Sequence, residues 1–225
     1  RQAFLGAIDP FLDAMPDRLP FDRDHLRTRV AWPGIDAIEG DPVRHDTCHV
    51  AWVGRWEHDK RPGVFFDAVR AASDRVPLRL VVLGESYTTI PEPFDRARTD
   101  LAHLVSHWGY APTREAYEGW LRGADLVVST AAHEFFGLAI MEAASAGALP
   151  VLPRALAYPE LFDEDDARFY DDERDLPDLL VRLAQERPDG PRASARRFDW
   201  SRRAPALDDM LEDAASRGAS SVRPP

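Results

Sequence analysis

The stretch Ser129–Pro153, STAAHEFFGLAIMEAASAGALPVLP, joins the end of one apolar run, a polar loop, a helix-like segment and a second apolar run. Gly137 stands where the helical segment begins, so the backbone N–H groups of Phe136, Gly137 and Leu138 would have no acceptor within the helix. Such N–H groups and the helix dipole favour an anion, particularly a diphosphate. The stretch therefore predicts a strand–loop–helix–strand unit with an anion site where its helix starts.

Two carboxylates flank this glycine. Glu142 would lie about one and a half turns into the helix, where it can accept both hydroxyls of a ribose. Glu134 lies on the preceding loop and can reach the next part of the same ligand. A nucleotide sugar has hydroxyls on both sides of a diphosphate and fits this arrangement. The same spacing also fits a buried helix whose small residues pack against a sheet, so both interpretations stay open for this segment alone.

The chain from Cys48 onward alternates strand-like and helix-like segments. The strand-like runs are HVAWVG, LRLVVLG, LVSHWG, DLVVST, ALPVLP and ARFY. Each run is followed by a stretch of helical character, which begins near Pro62 after the first run. This rhythm predicts right-handed βαβ units, and hence an α/β fold with a Rossmann-like parallel sheet and helices on both faces. Ligands of such sheets bind outside the carboxyl ends of the strands.

The segments around this alternation predict the domain boundaries. Residues 1–46 combine a short amphipathic helix with a connection rich in Pro and Asp, and are expected to be the remnant of an N-terminal lobe and an interdomain linker. Residues 47–200 are the expected nucleotide-sugar-binding domain. Residues 201–225 are expected to form a C-terminal helix and a disordered tail, RGASSVRPP.

Composition limits the classes of partner. The chain has 225 residues, a formal net charge of −11 and one cysteine, Cys48. This acidity disfavours a broad nucleic-acid-binding face, so any RNA contact would be local. A single cysteine excludes an intramolecular disulfide and fits a reducing compartment. No signal-peptide pattern and no apolar run of the ~20 residues that a membrane span needs are present, which predicts a cytoplasmic protein without a membrane partner.

A second loop supplies cations. The run GRWEHDK follows the first strand and places Arg55 and Lys60 at the same edge of the predicted sheet. Two cations there would complement a diphosphate and stabilise a leaving nucleoside diphosphate as charge develops on it. Lys60 is the only lysine in the chain. Its presence indicates a use for a compact point charge in this loop.

Other patterns are weaker. The run HDTCHV has His45, Cys48 and His49 at spacings found among metal ligands, but it lacks a fourth ligand nearby and leads straight into a strand, so packing is the prediction. The chain contains no Walker A loop and no Gly-x-Ser-x-Gly. These absences disfavour NTPase and hydrolase functions.

Four segments together resemble one family. The runs GRWEHDK, LGESYTTIPEPF and HWGYAPTREAY, followed by the stretch from Ser129 to Phe162, resemble the C-terminal, donor-binding half of the tRNA-queuosine alpha-mannosyltransferases. That family is a branch of the retaining glycosyltransferase group 4, which has the two-lobed GT-B fold. The spacings Arg-x4-Lys and Glu-x7-Glu support the group, and HWGY, HEFFG and YPE support the branch. The resemblance covers roughly Val50 to Trp200.

The resemblance implies a role for each matching position. It implies a catalytic set in which Arg55 and Lys60 clamp the diphosphate and Glu134 faces the donor sugar. The implied donor-binding residues are Gly54, Gly84, Glu85, Gly109, Tyr110, His133, Phe136, Gly137, Leu138 and Glu142. Of these, Glu142 would bind the ribose, and the amides at the start of the helix the phosphates. No metal and no further cofactor are implied, because the basic pair and the helix amides take the place of a metal.

The implied reaction is transfer of mannose from GDP-mannose to queuosine in tRNA, with retention of configuration. By the same resemblance the acceptor site belongs to an N-terminal lobe, and nearly all of that lobe is missing from this chain. Donor binding is therefore expected of the chain alone, and turnover when an N-terminal lobe completes it. Two alternatives stay open: a group 4 glycosyltransferase with a UDP-sugar and another acceptor, and a non-catalytic nucleotide-sugar-binding module.

Overall fold

The computed structural model describes residues 2–16, 28–86 and 90–219. It divides into two compact units, Arg1–Trp32 and Pro33–Pro225. In the first unit, the described residues include helix α1, Gln2–Asp13, which contains Pro10. The second unit holds the sheet. The boundaries expected at residues 46 and 200 stay predictions.

The second unit is an alternation of strands and helices. Its strands are β1 (Cys48–Val53), β2 (Leu78–Leu83), β3 (Val105–Gly109), β4 (Leu126–Val128), β5 (Leu149–Pro153) and β6 (Arg168–Tyr170). Its helices are α2 (Pro62–Ser73), α3 (Glu92–Asp100), α4 (Arg114–Arg122), α5 (Leu138–Ala146), α6 (Tyr158–Leu161), α7 (Leu176–Glu186), α8 (Arg192–Arg196) and α9 (Trp200–Ala219). The alternation predicted from the sequence is confirmed, and α8 occupies a segment to which no element was assigned.

The six strands form one parallel sheet in the order β3-β2-β1-β4-β5-β6. This is the Rossmann strand order, and the predicted α/β fold is confirmed. Helix α2 contacts both α3 and α7, and helix α5 contacts both α4 and α8, as two covering layers require. Because β2 and β4 lie on opposite sides of β1, the connections leaving β1 and β4 diverge. A crevice opens between them at the carboxyl edge of the sheet.

The central strands are buried on both faces. Val50, Leu80, Leu126 and Val151 have no exposed surface, which is the result expected for apolar runs in a covered parallel sheet. An aromatic cluster lies beneath the loops that follow β1 and β2. It contains Trp52, Trp56, Phe66, Phe94 and Trp108. The rings of Trp56 and Phe94 stack at 4.3 Å, so a packed base supports these loops.

The segment before β1 is tied to the far end of the chain. Ile35 N–H donates to Phe198 O at 2.9 Å, and Trp200 N–H donates to Ile35 O at 3.0 Å. Ile38 N–H donates to the buried Ser145 Oγ at 2.9 Å. These bonds attach residues that precede the sheet in sequence to helices α5 and α9.

Helix α9 continues through Ala219, into residues that were expected to belong to the disordered tail. The rest of that predicted tail lies outside the described residues. Across 2–16, 28–86 and 90–219, no helix combines the length and apolarity that a bilayer crossing requires. The cytoplasmic location stays a prediction.

Candidate functional site

The loops that follow β1 and β4 meet at the crevice. Thr130 Oγ1 donates to Lys60 O at 2.9 Å and lies 3.1 Å from Arg61 O. Ala132 N–H donates to Asp59 O at 2.7 Å. These bonds hold the 3₁₀ turn that carries Lys60 against the end of β4. The cation predicted from one loop and the carboxylate predicted from the other are therefore brought side by side.

A cavity of about 450 Å³ opens between these loops and the start of α5. The predicted site residues that line it are Gly54, Arg55, Lys60, Glu134, Phe136, Gly137 and Leu138. Its wall thus combines the ends of two strands with a helix N-terminus. That combination offers cationic side chains and backbone N–H donors to one ligand.

Gly137 begins α5 in the left-handed region, with φ of 79°. A Cβ atom at this position would lie 3.0 Å from Cε1 of the buried Tyr158. Both the conformation and the close ring favour glycine. No acceptor within the described part of the chain is bonded to Leu138 N–H, and Leu138 lines the cavity.

The Glu134 carboxylate occupies the anion position at the start of α5. Its Oε1 accepts from Gly137 N–H at 3.0 Å and from Phe135 N–H at 3.1 Å. Its Oε2 lies 3.3 Å from Lys60 Nζ. The Gly137 amide, predicted to bind phosphate, is here bonded to a side chain, because a helix N-terminus attracts any nearby anion. A phosphate at this position has to share the amide with Glu134 or replace its carboxylate.

The two predicted cations are held differently. Lys60 Nζ donates to His133 O at 2.7 Å, and the Lys60 side chain is only 16% exposed. Arg55 is 59% exposed, and its Nη1 lies 3.0 Å from Glu57 Oε1. Lys60 is therefore the preorganised charge. His133 enters the arrangement through its carbonyl oxygen.

A second cavity of about 400 Å³ adjoins the first and shares Gly54 and Arg55 with it. Gly84, Glu85 and Tyr110, predicted to approach the nucleoside, line this second cavity. The two cavities follow the edge of the sheet from β4 to β3. Their order matches the order in which a nucleotide sugar presents its sugar, diphosphate and nucleoside.

Three predicted glycines are linked through the backbone. Gly54 N–H donates to Leu83 O at 3.0 Å, and Gly84 N–H donates to Gly109 O at 3.2 Å. A Cβ atom on Gly84 would lie 1.9 Å from Gly54 O, which no side chain tolerates. Gly84 therefore has a packing role at the strand ends, independent of any ligand contact.

Glu142 is bound by two residues that sequence reasoning missed. Its Oε1 accepts from Arg114 Nη1 and its Oε2 from Tyr117 Oη, each at 2.8 Å. Burial, together with the negative charge of Glu142, raises the pKa of Tyr117, so the phenol stays a donor. The run TREAY places Arg114 and Tyr117 on one face of α4. Which residue that face meets depends on how α4 packs against α5.

Tyr158 is a further residue without a role assigned from the sequence. It lines the first cavity, and its buried hydroxyl donates to Ser129 Oγ at 2.8 Å. Burial raises its pKa. The predicted residues His133, Gly109 and Glu142 lie outside the two linings but are bonded to residues within them or next to them.

The other edge of the sheet carries the histidine–cysteine run. The rings of His45 and His49 lie 4.2 Å apart, and Cys48 is buried at the start of β1. Burial raises the pKa of Cys48 to about 12. In the described ranges, no three side chains of His, Cys, Asp or Glu are grouped closely enough to hold a metal. Independence from metal stays a prediction for the proposed reaction.

Residues 47–186, which include this site, match the family model described as Glycosyl transferases group 1. The chain belongs to that family. In particular, it is 33% identical over 182 residues to the tRNA-queuosine alpha-mannosyltransferase of Drosophila melanogaster, with 72% of this chain and 47% of that protein covered. The resemblance inferred from the four sequence segments is thereby confirmed.

Two further similarities extend the comparison. The chain is 29% identical over 160 residues to a GDP-mannose-dependent alpha-(1-6)-phosphatidylinositol dimannoside mannosyltransferase of Mycobacterium tuberculosis, with 68% of this chain and 41% of that protein covered. The sucrose-phosphate synthase structure from Thermosynechococcus elongatus superposes with a TM-score of 0.68 at 18% identity, over 85% of this chain and 53% of that one. This last similarity concerns the fold alone. The chain spans about half the length of the curated relatives it matches.

Proposed function

We propose that this chain is the donor-binding part of a retaining mannosyltransferase that takes mannose from GDP-mannose. We further propose queuosine in tRNA as the acceptor, bound when an N-terminal lobe completes the cleft. The observation that carries the proposal is the convergence of Lys60, Glu134 and the start of α5 on one cavity, beside a second cavity of suitable size for a nucleoside.

The chemistry assigned to these groups follows from charge. The bond between the anomeric carbon and the diphosphate oxygen breaks with its electron pair on that oxygen, so the nucleoside diphosphate leaves with added negative charge. The anomeric carbon bonds to an acceptor hydroxyl oxygen, whose proton is released. Lys60 and the backbone N–H groups at the start of α5 would stabilise that charge, because the ammonium group and the N–H dipoles are already oriented before the reaction. Arg55 is a second, more exposed cation for the same group.

The proposed donor and acceptor are supported by the similar proteins and not by the geometry of the site. A mycobacterial relative carries GDP-mannose in its name, and the Drosophila relative carries tRNA-queuosine. GDP is therefore the nucleotide expected to bind this chain, and UDP and ADP are the informative competitors. The alternative is a transferase that uses a UDP-sugar and another acceptor, and comparing the affinities for GDP and UDP distinguishes the two.

Lys60→Ala is expected to weaken GDP binding by about 10- to 100-fold, the effect of losing a hydrogen bond to a charged group. The measurement is calorimetric titration of the chain with GDP, UDP and ADP, with and without the substitution. Arg174→Ala is the control, because Arg174 is 88% exposed and its salt bridge among the described residues is with Asp172, two positions away. Wild-type preference for GDP, together with binding that is weakened in Lys60→Ala and unchanged in Arg174→Ala, supports the proposal.

Other outcomes of this titration contradict defined parts of the proposal. If the wild type binds UDP more tightly than GDP, GDP-mannose is excluded as the donor, and the proposal of queuosine as the acceptor is withdrawn. If Lys60→Ala binds GDP as tightly as the wild type, Lys60 does not bind the diphosphate. A chain that binds GDP but supports no sugar transfer when a separate N-terminal lobe is added is a binding module.

Glu134→Gln is expected to bind GDP about three- to tenfold more tightly at low ionic strength. GDP lacks the sugar that Glu134 would face, so the substitution mainly removes a negative charge beside the diphosphate. A glutamine oxygen can still accept from Gly137 N–H. Titration at low and high salt measures the effect, with the surface substitution Glu164→Gln as control. Weaker binding by Glu134→Gln would show that the carboxylate assists the diphosphate site instead of competing for it.

A further inference from the structure

We propose that Tyr117, assisted by Arg114, is a positioning residue that holds Glu142 ready to accept the ribose hydroxyls of the donor nucleotide. This inference rests on the proposed function. It concerns the second cavity, where the nucleoside would lie, and it makes α4 the element that determines sugar recognition there.

The geometry restrains the Glu142 carboxylate at both oxygens. One oxygen accepts from Arg114 Nη1 and the other from Tyr117 Oη, each at 2.8 Å, and the glutamate side chain is 17% exposed. Two donors from one helix fix both the position and the plane of the carboxylate. An ionised carboxylate has about four lone-pair sites, so roughly two remain for hydroxyls of a ligand.

The two donors have different consequences for charge. Arg114 is shared, because its Nε also donates to Glu118 Oε1 at 2.8 Å. Glu118 Oε2 also lies 3.8 Å from Arg122 Nη1, so two guanidinium groups and two carboxylates balance in this network, and the ionised Glu142 keeps free lone pairs as an acceptor. Tyr117 is neutral, since burial raises its pKa, and it orients Glu142 without neutralising it.

The position of α4 brings this pair to the cavity. Thr113 caps the helix by accepting from Ala116 N–H at 3.2 Å, which sets the first turn. Residues three apart then share a face, and Arg114 and Tyr117 both line the second cavity with Glu85 and Tyr110. The carboxylate they hold is therefore oriented from the same wall that a nucleoside would contact.

A carboxylate held in this way discriminates between sugars. A site built to hydrogen-bond a hydroxyl rejects a ligand that lacks it, because the acceptor is then left without its partner. The chain is accordingly expected to prefer GDP to 2′-deoxy-GDP. That preference is expected to depend on the Tyr117 hydroxyl.

The test is titration of the wild type and Tyr117→Phe with GDP and with 2′-deoxy-GDP. We expect the wild type to prefer GDP by about tenfold, the value of one charge-assisted hydrogen bond. In Tyr117→Phe the GDP affinity should fall about five- to tenfold and the 2′-deoxy-GDP affinity about two- to threefold, since 2′-deoxy-GDP keeps only the 3′-hydroxyl for Glu142. The preference for GDP would then fall to about threefold.

Tyr170→Phe is the matched control. It also removes a buried phenol hydrogen bond, from Tyr170 Oη to Ser129 O at 2.9 Å, but Tyr170 lies outside both cavity linings. It should lose stability and keep the wild-type preference for GDP.

Each of the other outcomes contradicts a specific part of the inference. A Tyr117→Phe chain that loses affinity for both nucleotides equally shows a merely structural role for Tyr117. A wild type that binds both nucleotides equally shows that Glu142 does not contact the 2′-hydroxyl, while nucleotide binding stands. A wild type that binds neither nucleotide overturns the proposed function and this inference with it.

Discussion

Gly84→Ala is expected to destabilise the chain by about 3 kcal/mol or more and to abolish nucleotide binding. A Cβ atom at Gly84 would meet the Gly54 carbonyl oxygen at 1.9 Å, and Gly84 has φ of 157°. The clash is with backbone, which cannot rotate away as a side chain can. Relief requires the ends of β1 and β2 to separate, and Gly54 and Gly84 line the second cavity.

The measurement for Gly84→Ala is the free energy of unfolding from urea denaturation, followed by GDP titration. Gly109→Ala tests the backbone contribution alone, because Gly109 has φ of 115° but nothing within 4 Å of a Cβ. It should cost about 1 kcal/mol. Gly119→Ala, inside α4 with open space around it, should stabilise by about 0.5–1 kcal/mol. If Gly84→Ala costs no more than Gly109→Ala, the close contact with Gly54 does not constrain the site.

Asp125→Ala is expected to lower the free energy of unfolding by about 3 kcal/mol. The carboxylate is 2% exposed and accepts from Arg44 Nη1 at 2.6 Å and Arg187 Nη2 at 3.0 Å. Its second oxygen accepts from His49 N–H at 2.9 Å. Alanine would leave the buried N–H and two partly buried guanidinium groups without this acceptor. The loss in free energy of unfolding is near the lower end of the range for breaking a buried ion pair, because both arginines keep some contact with water.

The control for Asp125→Ala uses the same arginine. Asp189 also pairs with Arg44 but is 96% exposed, so Asp189→Ala should cost less than about 1 kcal/mol. Urea denaturation compares the two variants. Asp125 lies at the amino ends of the strands, away from the crevice, so GDP affinity should be unchanged in any Asp125→Ala chain that remains folded. Equal losses for both aspartates would mean that burial adds nothing to this ion-pair network.

The sheet was predictable because its signal is local. Runs such as LRLVVL are apolar throughout, as strands buried on both faces are, and the helical stretches between them leave little choice but parallel βαβ units. Loops that follow parallel strands meet at one edge, so Arg55, Lys60 and Glu134 could be assigned to the same edge of the sheet without coordinates. The family could be recognised from the same loops, because the order of their residues is read directly from the sequence.

The partners of these residues were decided by the tertiary structure. Glu142 meets Arg114 and Tyr117 only because α4 packs on α5 at a particular rotation, and helix spacing does not determine that rotation. The Gly137 amide was expected to bind phosphate, but the Glu134 side chain reaches back to it, a choice between an internal anion and a ligand that no spacing reveals.

The sequence by itself thus determined the α/β class, the edge of the sheet that carries the site and the family. It did so because hydrophobic periodicity and the residues of strand-end loops are local properties of the chain. Tertiary structure alone decided the close contact of Gly84 with Gly54, the Asp125 network and the orientation of Glu142. Those features depend on distances of a few ångströms between residues far apart in sequence, which only the packed fold sets.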